Sequence, residues 1–191
     1  MAIRTSIILA LLILTNAPIV SAQNGAQGNP GCGNPKVRFD VKIGDKHDAA
    51  RANADKALVY FIQDDSRFET RPRPTTRVGL DGAWIGATGG DSFFAFAVTE
   101  GLHHLCASWQ GSGPGRIAAS VLGAGSSYLS REGATSFTAE PGGVYYFVVR
   151  DVYHERDQGP STIELRLSQL NGDEGQLLVN HRKLSIATEK K

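Results

Sequence analysis

Between Lys36 and Ile43 apolar and polar residues alternate without a break. Val37, Phe39, Val41 and Ile43 fall on one face, and Lys36, Arg38, Asp40 and Lys42 on the other. A period of two is the mark of a half-buried strand. Ala57 to Ile62 (ALVYFI) shows no alternation, only apolar β-formers, as expected of a strand covered on both faces. Val78 to Gly86 predicts a hairpin. Asp81-Gly82 supplies the positive φ values of a type I′ turn, with Leu80 before it and Trp84-Ile85 after it. Ser92 to Val98 puts Phe94, Phe96 and Val98 on one face and Phe93, Ala95 and Ala97 on the other, the pattern of a central strand. Glu100-Gly101 then turns the chain into Leu102 to Trp109. Ser136 to Ala139 and Val144 to Arg150 (VYYFVVR) read as strands around the type II turn signal Pro141-Gly142-Gly143. Ile163 to Leu167 alternates, with Glu164 and Arg166 outward. Asp173 to Lys183 is the one helix candidate: Leu177, Leu178, His181 and Leu184 fall at helical spacing, and basic residues gather at its C-terminal end.

The segments between are turn-rich or polar. Gly44 to Asp55 is a polar connector with room for one helical turn through Ala49 to Ala52. Gln63 to Thr76 is a charged loop whose Pro72 and Pro74 block ladder hydrogen bonds. Gln110 to Arg116 is a loop, Ile117 to Ser130 reads equally as a weak strand or an excursion, and Asp151 to Pro160 is polar. The sum predicts an all-β fold: an antiparallel β-sandwich of about seven to nine strands with one short C-terminal helix. The high glycine count, 22 residues, fits that turn-rich reading.

Composition adds a compartment. Arg4, the apolar run Ile7 to Leu14 and the small residues Val20-Ser21-Ala22 form an export signal with cleavage after Ala22. The alternative is a retained N-terminal anchor. The domain plan is a signal peptide at 1–22, a flexible Gly/Asn/Pro arm at 23–35 and one β-sandwich domain at 36–187. No transmembrane segment is expected after cleavage, and the destination is secreted or periplasmic. Lys+Arg 20 against Asp+Glu 19 leaves a net charge of +1, which gives no global field toward nucleic acid. Two cysteines in an exported chain invite a Cys32–Cys106 disulfide. Closing so long a loop is worth roughly 4 kcal/mol.

The catalytic strings fail one by one. Gly90-Asp91-Ser92-Phe93-Phe94 lacks the last glycine of a nucleophile elbow. His154-Glu155 starts like a zinc-protease helix, but Gln158 stands where the second histidine belongs. Gly111, Gly113 and Gly115 imitate a phosphate loop without its lysine. Neighbouring His103 and His104 point to opposite faces of a strand, so no metal site and no cofactor are expected. Arg67, Arg71, Arg73 and Arg77 form a basic stretch, either a solvated loop or an anion-docking surface. Trp84 and Trp109 are either core aromatics or a sugar-stacking platform. The candidate ligand-binding set is therefore Trp84, Trp109, Arg71 and Arg73.

The strings ALVYFIQ (57–63), VGLDGAWIG (78–86), FFAFAVTEGLHHLCASW (93–109) and FTAEPGGVYYFVVR (137–150) carry a resemblance. Over roughly 55–185 the chain resembles an uncharacterised bacterial envelope family, often lipoproteins, known only as a domain of unknown function. Asp81-Gly82 matches its hairpin, Gly101 and His103 its Gly-x-His element, and Tyr145-Tyr146 its paired tyrosines. Gln63 stands where many members carry arginine, and no lipobox precedes Cys32. The resemblance implies a β-sandwich exported to the envelope and carries over no catalytic residue. The expected role is a non-enzymatic envelope module that is structural or binds an unidentified envelope protein or glycan. The alternatives are a glycan- or ligand-binding domain using the tryptophans and arginines, and a hydrolase assembled from His104, Asp151 and His154.

Overall fold

The computed structural model describes residues 32–44, 54–66, 75–110, 128–154 and 161–191. Among them run eleven strands and one helix. The order is β1 (Phe39–Gly44), β2 (Ala57–Gln63), β3 (Thr76–Leu80), β4 (Ala83–Thr88), β5 (Ser92–Val98), β6 (Gly101–Trp109), β7 (Tyr128–Arg131), β8 (Gly133–Ala139), β9 (Val144–His154), β10 (Ser161–Leu170), α1 (Gly172–His181) and β11 (Lys183–Glu189). Seven strands form one sheet in the order β1-β11-β5-β2-β9-β10-β7, and four form a smaller one, β4-β3-β6-β8.

The unbroken apolar run of β2 is buried along its whole length. Its odd positions, Val59 and Phe61, meet Val78, Leu105, Ala107, Phe137, Phe147, Val149 and Leu165 between the sheets. Its even positions, Leu58, Tyr60 and Ile62, meet Phe93, Tyr146, Val148 and Val179 of α1 on the far side of the larger sheet. The helix is thus a third layer, and it is why β2, β5 and β9 are apolar on both faces. Gly175 lets it dock: a Cβ there would overlap the Tyr146 ring. Tyr146 in turn stacks on Tyr60 with centroids 5.1 Å apart.

The larger sheet is mixed, which corrects the all-antiparallel expectation. β2 runs parallel to β9, β5 to β11 and β7 to β10. Helix α1 is the crossover that parallel geometry demands. β10 and β11 point the same way, four strand spacings or about 19 Å apart. A ten-residue helix covers about 15 Å of that. Asn171 caps it, its side chain accepting from the Glu174 N–H at 2.9 Å. The helix stops at His181, two residues short of the expected Lys183, because Lys183 already pairs with Ser92.

Other boundaries move for similar reasons. β9 continues past Arg150 to His154, which pairs with Thr162, so Asp151 to His154 is strand rather than polar loop. β8 starts at Gly133, three residues earlier than expected. Tyr128 to Arg131 is a strand, while 117–127 lies outside the described residues, as do the helical turn proposed at 49–52 and the leader and most of the arm, 1–31. Asp81 (φ 48) and Gly82 (φ 85) make the two-residue β3–β4 turn that the Asp-Gly pair predicts.

The chain crosses between the sheets on both sides. At Glu132 it leaves β7 in the larger sheet and enters β8 in the smaller one. On the opposite side residues 32–38 lie across the smaller sheet before β1 joins the edge of the larger one. Gln110 closes that corner, its amide accepting from the Phe39 N–H at 2.7 Å and donating to the Phe39 carbonyl at 2.8 Å.

Candidate functional site

Three polar centres stand out, and strand alternation assigns each to a face. On the outer face of the smaller sheet, β3 presents Arg77 and Gly79, β4 presents Trp84, and β6 presents Cys106 and Ser108. The N-terminal strap covers them. Cys32 is disulfide-bonded to Cys106, with Cα atoms 5.6 Å apart, and Gly79 leaves room for the bridge. Arg77 is only 2% exposed. It donates to the Pro35 and Val37 carbonyls at 3.2 and 3.1 Å and to Ser108 Oγ at 3.3 Å. Its guanidinium lies 4.2 Å from the Trp84 ring centroid, and the Trp84 indole donates to the Asn34 carbonyl at 2.9 Å. Burial, together with the Arg38 charge, depresses the Arg77 pKa. Arg77 is therefore a strand residue gripping backbone, not part of a solvated loop.

The second centre lies where helix and larger sheet meet. Asp64 accepts from Arg150 Nε and from Arg182 Nη2, each at 2.9 Å. Burial alone would raise its pKa. Hydrogen bonds from Ser66 and Arg150 and the Arg182 charge outweigh that and hold it below the usual carboxylate range. This network cross-links β2, β9 and the β11 entrance and is a structural clamp.

The third is the candidate site. At the end of the sandwich where β2, β6 and β9 finish, side chains continuing the core rows turn polar. Gln63 and Asp65 follow Phe61, Asp151 follows Val149, and Thr76, Thr88 and Trp109 face them from the smaller sheet. Thr88 Oγ1 donates to Gln63 Oε1 at 2.8 Å, and Gln63 Nε2 donates to both Asp65 oxygens at 2.9 and 3.1 Å. The Asp65 N–H is held by Asp91 Oδ1 at 3.1 Å. Among the described residues, Thr76 Oγ1 and Asp151 Oδ2 are buried with no hydrogen-bond partner. Burial pushes the Asp151 carboxyl up to about 7; the nearby Asp65 charge adds to this, and the Trp109 indole pulls weakly the other way. Asp151 is thus a proton holder at the same end of the sandwich as the Thr76 hydroxyl, and both groups are able to give and take hydrogen bonds with a polar ligand.

The sequence-predicted residues do not gather in one place. Trp109 is buried between the sheets, Trp84 is engaged on the outer face, and the two share no platform. Arg71 and Arg73 lie outside the described residues. His104 sits near the opposite end of β6 from Trp109, and His154 pairs with Glu164 at 3.1 Å, so neither joins Asp151. Among the described residues no three His, Cys, Asp or Glu side chains come together to hold a metal ion. No helix among them is long and apolar enough to cross a membrane. Sequence reasoning missed Gln63, Asp65 and Thr76. The one available signal was Gln63, a polar end to an apolar strand. Comparison with protein-family models, curated proteins and solved structures finds no match to this chain.

Proposed function

We propose that this chain is an exported, non-catalytic β-sandwich protein of the bacterial cell envelope that works by binding. The Cys32–Cys106 bridge carries the export reading, because such bonds persist in oxidising compartments. The apolar leader before it points the same way. Binding is assigned to the end of the sandwich at Thr76, Asp65 and Asp151, where a hydroxyl and a carboxyl that holds its proton suit a hydroxyl-bearing glycan of the envelope, and the Asp65 charge disfavours an anion. Titration with cell-wall glycan fragments should shift the emission of Trp109, which borders the site, and Thr76→Val should abolish the shift. Free cysteines in a reducing compartment would sink the export reading, and silence with every glycan would sink the ligand.

A second reading, a hydrolase, is favoured by one observation: the Asp151 pKa of about 7 suits a general acid. Turnover on a hydrolase panel that disappears in Asp151→Asn would replace the binding reading with this one.

A further inference from the structure

The other end of the smaller sheet holds a different device. His103 points inward from β6 and is 8% exposed, with its ring 5.7 Å from Phe137. Nδ1 lies 2.7 Å from Asp81 Oδ2, in the β3–β4 turn. Nε2 lies 2.9 Å from the Thr99 carbonyl, just before the β5–β6 turn. A backbone carbonyl only accepts, so Nε2 must carry a hydrogen. An ionised carboxylate also only accepts, so Nδ1 must carry one too. A neutral ring has one N–H and would leave a lone pair facing one of these acceptors.

The turn favours the ionised form of Asp81. Its Oδ1 accepts from the His104 N–H at 2.8 Å, and its own N–H donates to the His104 carbonyl at 2.9 Å. Burial would raise the Asp81 pKa, but the hydrogen bonds from His104 and His103 and the charges of both rings hold it low. Burial likewise works against a charged His103, and the bonds to Asp81 and Thr99 override it, raising its pKa. The titratable groups on the surrounding elements are Asp81 in the β3–β4 turn, Glu100 beside Thr99 and His104 on β6. β8 contributes Phe137, behind which stands Tyr145 of β9.

We propose that His103 is kept as an imidazolium and rivets the β3–β4 turn to the β5–β6 turn, so that loss of its proton on the alkaline side unlocks this end of the smaller sheet. The rivet is fully set below the ordinary histidine value. It is lost as pH rises through the raised value of the folded state.

The test is a ring-nitrogen NMR titration of the full folded protein labelled at histidine. Near neutral pH, His103 should show two N–H groups, with a midpoint above the ordinary histidine value. After correction for base catalysis, protection of the His104 amide should fall about tenfold from about pH 6 to about pH 9. Asp81→Asn keeps a residue that tolerates positive φ but removes the charge. It should lower the His103 midpoint by up to about one pH unit and flatten the loss of protection. A single-tautomer neutral His103 near pH 7, with a midpoint at or below the ordinary one, overturns the proposal. That wild-type titration decides the matter even if the variant fails to fold.

Discussion

At one end of the sandwich Asp81 meets His103 across 2.7 Å; at the other Asp151, on the larger sheet, faces the Asp65 carboxylate, with its own Oδ2 unpartnered among the described residues. Both are aspartates at the margins of one core, yet their pKa values move in opposite directions. Burial pushes both upward. What differs is the partner: Asp81 receives a cationic ring and a backbone N–H, whereas Asp151 receives a carboxylate and one weak donor. Desolvation sets the cost of charge, and the neighbour decides whether charge or proton wins.

The two ends share the core between them, and the largest effect comes from cutting there. Phe147→Ala should destabilise by about 4 kcal/mol, equally at pH 5 and pH 8 in urea melts, since Phe147 touches neither titrating pair. A pH-dependent loss would mean that the ends are coupled through the core. Reducing Cys32–Cys106 should cost about 4 kcal/mol, again without altering the pH profile. It should also expose Trp84, seen as a red-shifted emission.

Asp151 itself should cost stability as pH rises. Its contribution is full below the ordinary carboxylate value and is lost as pH climbs through about 7, because the folded state resists ionisation. Asp151→Asn should therefore be more stable than the parent at pH 8, by about 4 kcal/mol at most, and indistinguishable from it at pH 4. Equal stability at pH 8 would show that the site tolerates the charge. Asp81→Asn should give the smallest and opposite change. The pair is partly exposed, so its loss should cost at most about 1 kcal/mol at pH 6 and fade above the His103 titration. Measuring both variants across one pH series puts the two ends on a single scale.

Much of the strand inventory is legible along the chain, and the reason is local. Alternation in β1, the Asp81-Gly82 turn and the unbroken run of β2 each follow from side-chain period and φ preference within a few residues. The candidate site is less legible. Gln63 and Asp65 sit at the end of an apolar strand, where a polar residue ordinarily marks entry into a loop. Asp151 opens a polar stretch that reads as the end of a strand, yet β10 pairs with it and carries β9 onward to His154. Arg77 belongs by sequence to a solvated basic run, yet the strap buries it.

From the sequence alone follow the β class, the residues that share a face, the Asp-Gly turn, the short C-terminal helix and the two cysteines that form the bridge. Period and turn chemistry act between near neighbours and need no partner to be read. The tertiary structure alone decided that the larger sheet is mixed, that α1 crosses it, and that Asp81 is paired with a cation while Asp151 is set against an anion. Backbone hydrogen bonds are the same for every strand, so which strands pair is settled by how the whole core closes. A carboxyl's charge depends on the atoms that closure places within a few ångströms of it.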